Sequence, residues 1–278
     1  MLIAALFAIG LLAGILGTLV GLGGAFVVIP VLRLFFGLSP AVTAGVALFM
    51  VLGNGISASF AYLRQGRADV RIALVTAITG IPFSILGTVL VHHVPVASFD
   101  LLYGAMLVYF FIDVMRRRNR PTPNVSAGEP RLGGTRERTL TDAYGETFTY
   151  HWSVPLALGL GVAIGLATTF FGIGGGVIFT LTSLALLRMP VHVSTATAMV
   201  VMLLTAPVGV ASHIFAGDVN WTFAIPLAAG GIIGGQVGPR IARRLTTPQL
   251  LTVLAYALLC AAIALALRHL IPMLTRSS

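Results

Sequence analysis

A chain of 278 residues with 57% hydrophobic and only 9% charged residues cannot cover a water-facing surface, where about a quarter of residues are usually charged. A soluble domain is therefore excluded, and lipid is the solvent that fits, with room for roughly eight to ten segments of about 20 residues. The net charge of +9 does not point to nucleic acid: all 17 basic residues are arginines, seven lie between Arg116 and Arg138, and most others flank apolar runs, as topology determinants do.

The opening stretch MLIAALFAIGLLAGILG matches a signal sequence in hydrophobicity alone and reads as a retained membrane segment. Region 1–37 is too long for one crossing, because a 37-residue helix spans about 55 Å against a hydrocarbon core of about 30 Å. The sequence Gly21-Leu22-Gly23-Gly24 interrupts it. The expected elements are a helix at 2–20, a break, and a shorter returning helix at 25–36, followed by helices at 41–63, 70–91 and 98–115. Residues 116–152 are polar, hold four of the eight acidic residues and read as a flexible cytoplasmic linker. Apolar runs resume at 154–171, 176–187, 193–215, 221–239 and 250–267, with a second break at Gly172-Ile173-Gly174-Gly175-Gly176. The single cysteine, Cys260, forms no intramolecular disulfide and reads as a small apolar residue.

The two halves repeat. A shift of 151 residues superposes eight glycines, among them Gly14 on Gly165, Gly23 on Gly174, Gly80 on Gly231 and Gly87 on Gly238. Internal duplication is typical of transporters. The basic loops exchange places: Arg64, Arg67 and Arg71 follow the third run of the first half, whereas Arg240, Arg243 and Arg244 follow the fourth run of the second. Under the positive-inside rule the halves insert upside-down relative to each other. The expectation is an all-α polytopic membrane protein of two homologous halves, 1–115 and 153–278, related as inverted repeats. Each half holds a glycine-broken discontinuous helix pair and then three membrane helices.

Chemistry is expected at the breaks. A helix that begins inside the protein presents unpaired amides and a positive dipole end, which attract an anion. Gly21, Gly23 and Gly24, with Gly172, Gly174, Gly175 and Gly176, are the candidate substrate contacts. A side chain at Gly24 or Gly175 is expected to block the anion in a protein that still folds. The competing reading of these glycines is close packing of helices. Asn54, between Gly53 and Gly55, and Thr195 join the candidates, whereas many other polar residues in the runs bond only their own helix. His213 is the candidate for proton coupling, because imidazole titrates near neutral pH; an interfacial histidine is the alternative. Arg33 and Arg188, near run ends, are expected to snorkel. No catalytic constellation, metal-ligand pattern or cofactor motif appears, so an enzyme is not expected.

The chain resembles the TauE/SafE-type sulfite exporter family. The likeness rests on GLLAGILGTLVGLGGAFVVIPVL, its echo GLGVAIGLATTFFGIGGGVIFTLTSLAL, and GDVNWTFAIPLAAGGIIGGQVG with its degenerate copy GRADVRIALVTAITGIPFSILG. The degenerate copy has Arg67 and Val70 where the other has Asp218 and Trp221. The resemblance implies a multi-pass protein of the cell membrane that exports a small sulfur-containing anion, such as sulfite, sulfoacetate or a related sulfonate, coupled to protons. Its partners would be that anion and the lipid bilayer, not nucleic acid. An anion channel, or a membrane scaffold acting through the linker, are the alternatives.

Overall fold

A computed structural model describes residues 1–118, 136–187 and 189–276. Residues 119–135 of the expected linker and Arg188 lie outside the described residues. The first half comprises α1 (Leu2–Val20), α2 (Ala25–Phe35), α3 (Pro40–Arg64), α4 (Val70–His93) and α5 (Val96–Arg118). The second comprises α6 (Val154–Phe171), α7 (Gly176–Leu186), α8 (Val191–Phe215), α9 (Trp221–Ala242) and α10 (Thr247–Arg276). Between them an antiparallel hairpin pairs β1 (Arg136–Thr141) with β2 (Thr147–Trp152). The protein is thus all-α and polytopic, with this hairpin the one β feature among the described residues. Where the sequence reading expects a flexible linker, residues 136–152 are ordered into strands.

Helices α1, α3, α4, α5, α6 and α8 are long and apolar enough to cross a membrane. By contrast α2 and α7 have 11 residues each, a rise of about 16 Å, half a bilayer core. Local chemistry sets the starts. Ser39 caps α3 ahead of Pro40, Asp69 accepts from the amides of Arg71 and Ile72 at α4, and the equivalent Asn220 accepts from Thr222 at α9.

The halves interlock by exchange. The first helix of each half lies along the fourth helix of the other. In α1 and α9, Gly14 meets Gly231 and Thr18 meets Gly238; in α6 and α4, Gly165 meets Gly80 and Thr169 meets Gly87. The second pair of contacts reproduces the first after the 151-residue shift. Small residues let the backbones approach to contact, which supplies the packing that apolar lipid does not provide. In both pairs the residue numbers rise together, so these helices run parallel. The equivalent helices α3 and α8 run antiparallel. The Ser59 hydroxyl donates to the Met199 carbonyl at 2.8 Å, Gly55 faces Met202 and Leu48 faces Gly209. Equivalent helices that cross antiparallel are related by an axis across their length, not along it.

One expectation needs correction. Arg33 does not snorkel: it is 1% exposed, and its guanidinium forms a two-point pair with Asp100 on α5, Nε to Oδ1 at 2.8 Å and Nη2 to Oδ2 at 2.7 Å. Its third nitrogen donates to the Leu38 carbonyl. The pair ties the short helix α2 to α5.

Candidate functional site

The two glycine breaks meet at the centre of the molecule. Gly21, Gly23 and Gly24 have φ of 77°, 74° and 90°, and Gly172, Gly174 and Gly175 have φ of 75°, 70° and 69°, a left-handed region that side chains resist. Each break first caps the long helix, then turns back so that α2 and α7 start inside the protein. Gly175 is the N-cap of α7, and its carbonyl accepts from the Phe179 amide at 3.1 Å. The amides of Gly176, Val177 and Ile178 precede that first intrahelical bond, and such donors have no partner within their own helix.

The approach between breaks is close. The Gly21 carbonyl occupies the space that a Cβ would take at Gly176. Val51 of α3 and Met202 of α8, equivalent under the internal shift, fill the space beside both Gly23 and Gly174. All seven candidate glycines are buried.

Polar groups surround this junction. Thr180 of α7 and Thr195 of α8 flank Gly21, and Thr168 of α6 flanks Gly175. These side chains are 1%, 2% and 0% exposed, and their hydroxyl oxygens have no hydrogen-bond partner. A buried polar atom left unpaired costs about 1–3 kcal/mol, so three beside one pair of glycine breaks suit a polar guest. The first half offers Ile29, Ala44 and Gly17 at the equivalent positions. The open hydroxyls therefore belong to the second half alone.

Asn54 is fully buried and does not face an empty space. Its Nδ2 donates to the Gly23 carbonyl at 3.0 Å, and the Thr18 hydroxyl lies 2.9 Å from its Oδ1. It braces the first break from α3. Its equivalent Thr205 donates to Val201 in its own helix and braces nothing across the fold.

His213 is fully buried. Its Nδ1 lies 2.7 Å from Asp218 Oδ2, and its Nε2 lies 3.0 Å from the Thr169 carbonyl. The other oxygen of Asp218 lies 3.0 Å from His92 Nε2, and His92 Nδ1 lies 2.8 Å from the Thr88 carbonyl. Asp218 and His92 are not among the candidate site residues of the sequence reading. Neither sits in the run that holds His213, and 126 residues separate them from each other. The internal repeat carries a usable signal: the shift sets His213, Asp218 and His92 against Tyr62, Arg67 and Arg243, a complete change of chemistry at matched positions.

The hairpin meets two of those counterparts, Arg67 and Arg243, at the opposite end of α3. Arg67 pairs with Asp142 at 2.8 Å and with Glu146 at 3.2 Å, and Arg243 donates to the Tyr144 hydroxyl at 2.8 Å. Tyr150 donates to Asp69, whose carboxylate also faces Arg138 at 2.6 Å. Burial alone would push the Asp142 carboxyl up, but the Arg67 guanidinium and the backbone amides of Glu146 and Tyr144 outweigh it and hold the group below the usual carboxylate range.

Comparison with known proteins agrees with this architecture. The model of the family described as "Sulfite exporter TauE/SafE" matches residues 6–265. The chain is 29% identical over 262 residues to "Probable membrane transporter protein YunE" of Bacillus subtilis, covering 91% of this chain and 93% of that protein. It is 27% identical over 246 residues to a "Probable membrane transporter protein" of Haemophilus influenzae, covering 86% and 85%. A shorter match, 37% over 84 residues, covers 30% of this chain and 18% of "Sulfite exporter TauE/SafE family protein 1" of Arabidopsis thaliana. No solved structure matches. With helices that cross a membrane, a duplicated glycine break and a family match over nearly its whole length, the chain belongs to the TauE/SafE sulfite exporter family of membrane transporters.

Proposed function

We propose that this protein is a secondary transporter that exports a small sulfur-containing anion, such as sulfite, sulfoacetate or a related sulfonate, coupled to protons. The anion would bind where the glycine breaks meet. The observation that carries this reading is the set of three buried, unpartnered hydroxyls at the junction, on Thr168, Thr180 and Thr195. A tetrahedral or pyramidal oxyanion has several acceptor oxygens and suits hydroxyl and amide donors. Thr180 and Thr195 would donate from α7 and α8, while the first amides of α7 supply further donors and a positive dipole end. Hydrogen bonds to a charged group contribute about 1.5–3 kcal/mol each. A few of them hold an anion weakly enough to release it, without a buried arginine. In the conformation described, Val51 and Met202 pack against both breaks, so binding requires these side chains to move aside.

The halves act as inverted repeats in this proposal. The antiparallel crossing of α3 and α8 supports it, as do the exchanged arginine loops. The linker and the loop containing Arg243 would then face the cytoplasm, with the loop after α4 outside.

The test uses purified full-length protein. Thermal stabilisation is measured against sulfite, sulfoacetate, taurine, sulfate and acetate, since a ligand that binds only the folded state stabilises by RT ln(1 + [L]/Kd). Selective stabilisation by a sulfur anion, lost in Thr195→Val and Thr180→Val, is the expected outcome. Val keeps the shape of Thr and removes the hydroxyl. Equal stabilisation in the wild type and both variants would overturn the site.

A further inference from the structure

We infer that His92, Asp218 and His213 form a proton-loading relay, open on the face of the transporter opposite the hairpin. The inference rests on the proposed proton-coupled export and gives that coupling a location, a capacity and a side.

Hydrogen-bond accounting carries it. The Thr169 carbonyl only accepts, so His213 Nε2 must carry a hydrogen. In a neutral ring Nδ1 is then a bare acceptor, yet it faces a carboxylate oxygen at 2.7 Å. The same holds at the other end. The Thr88 carbonyl requires a hydrogen on His92 Nδ1, which leaves Nε2 facing Asp218 Oδ1 at 3.0 Å. With both rings neutral and Asp218 ionised, two contacts bring acceptor against acceptor. Each is satisfied only when a proton lies between nitrogen and oxygen. The three side chains are therefore arranged to take up about two protons beyond that baseline, passing from one net negative charge to one net positive charge.

Access is graded from one side. The His92 side chain is 38% exposed and lines a cleft of about 460 Å³ between α4 and α8, together with Thr88, Ser212 and Phe215. Asp218 is 5% exposed and His213 is 0% exposed. The inner end of the relay rests on Thr169, the neighbour of Thr168, whose open hydroxyl flanks Gly175. A proton taken up at His92 thus has a continuous path through Asp218 to a group one residue from the proposed anion site.

The surroundings keep this chemistry separate. On α4, His93 Nδ1 lies against its own helix at the Val89 carbonyl. Arg33 and Asp100, on α2 and α5, are bonded to each other. The charged residues of α3 and α9, Arg64 and Arg240, lie at the other ends of their helices, and α6 contains none. The counterpart positions carry a fixed charge pattern instead. Tyr62 donates to the Thr18 carbonyl at 2.9 Å, as His213 meets Thr169, but Arg67 and Arg243 are held by the hairpin. Neither arginine loses its proton in a protein. Of the two matched sets of positions, only the one on the face opposite the hairpin, His92, Asp218 and His213, can exchange protons near neutral pH. In the inverted topology that face is outside, the side from which protons enter to drive export.

The experiment measures protons directly. Substrate-free protein in weakly buffered detergent is titrated from about pH 8 to pH 5, a range centred on the histidine transition, beside His92→Gln, Asp218→Asn and the triple variant with His213→Gln. Uptake of about two more protons per chain by the wild type than by the triple variant is expected. The transport rate in proteoliposomes should depend on outside pH in the wild type and lose that dependence in His92→Gln, which changes a part-exposed residue and should fold even if the triple variant does not. Equal proton uptake by the wild type and His92→Gln, with an unchanged pH profile, would overturn the relay. If the wild type binds no sulfur anion, the proposed substrate falls, and the titration still judges the relay.

Discussion

Replacing Asn54 with Ala tests whether the first glycine break is held in place or merely tolerated. In the wild type Asn54 Nδ2 gives the Gly23 carbonyl a hydrogen bond at 3.0 Å, and the side chain is fully buried. Ala removes the donor. The Thr18 hydroxyl loses little, because the Gly14 carbonyl lies 2.7 Å away as a second acceptor. The Gly23 carbonyl has no such reserve, and an orphaned buried acceptor costs about 1–3 kcal/mol. The vacated volume adds to this, for a total of about 2–4 kcal/mol. For a chain of this size that corresponds to a fall in melting temperature of about 4–16 °C. Heating in detergent followed by size-exclusion chromatography of the surviving monodisperse protein measures it. Anion affinity should drop about tenfold or more, a loss of about 1.4 kcal/mol, because the break no longer presents a fixed backbone. Asn54→Asp keeps the shape but turns a donor into a negative charge facing a carbonyl, and should lose binding altogether. An Asn54→Ala protein that melts with the wild type and binds sulfite equally would refute the brace.

Asp100→Asn should destabilise sharply, by about 3–5 kcal/mol, because Arg33 stays buried without its carboxylate; the double variant Arg33→Met/Asp100→Leu should melt above the single one, and the same heating assay decides. For the hairpin, the sign follows from a carboxyl held below its unfolded value: Asp142 stabilises the docked hairpin above the unfolded value of about 3.9 and loses that contribution as pH falls further. The fluorescence of buried Trp152, read in a Trp221→Phe background, should therefore stay constant from about pH 8 to pH 5 and shift to the red below about pH 4, whereas Asp142→Asn should shift it at neutral pH. With Cys260→Ser as background, cysteines placed at Ser98 and at Thr246 should label from opposite sides of the membrane; labelling from the same side would end the inverted arrangement.

Helix positions were legible because apolar runs of membrane length have few alternatives in a chain so poor in charge. The internal shift also predicted which glycines are equivalent, and the fold uses those pairs as the contacts between α1 and α9 and between α6 and α4. The hairpin was read as a flexible linker, although its second strand carries a signal of a different period. Thr147-Phe148-Thr149-Tyr150-His151-Trp152 alternates strictly, and Phe148, Tyr150 and Trp152 are the buried set. A composition that is polar overall hid that alternation. Contacts made across the chain were not legible. Arg33 and Asp100 are 67 residues apart, and no periodicity links them. A lone arginine at the end of an apolar run looks the same whether it reaches for headgroups or for a buried partner. Asn54 stood out by its place between glycines, but its bond to Gly23 needed the fold.

The glycines themselves are a poor instrument for separating packing from binding. At Gly24 a Cβ would fall on the Ala13 carbonyl, and at Gly175 it would press on Ile164 and lie 2.7 Å from Thr168 Oγ1. Both positions also hold a left-handed backbone, so a valine there strains the chain before any anion arrives, and the expectation that such variants fold normally has no support in the geometry. Duplication offers a better separation. Both halves need the break to fold, and both have it. Only the second half has the open hydroxyls at the junction, and it places His213, bonded to Asp218, where the first half has Tyr62. In the proposed inverted arrangement the two faces are presented in turn with near-equivalent packing, whereas the proposed anion and its protons need one set of donors. Features common to both halves therefore belong to the fold. The differences, Thr195 for Ala44, Thr180 for Ile29, and His213, Asp218 and His92 for Tyr62, Arg67 and Arg243, are where substitution should change transport without dismantling the protein.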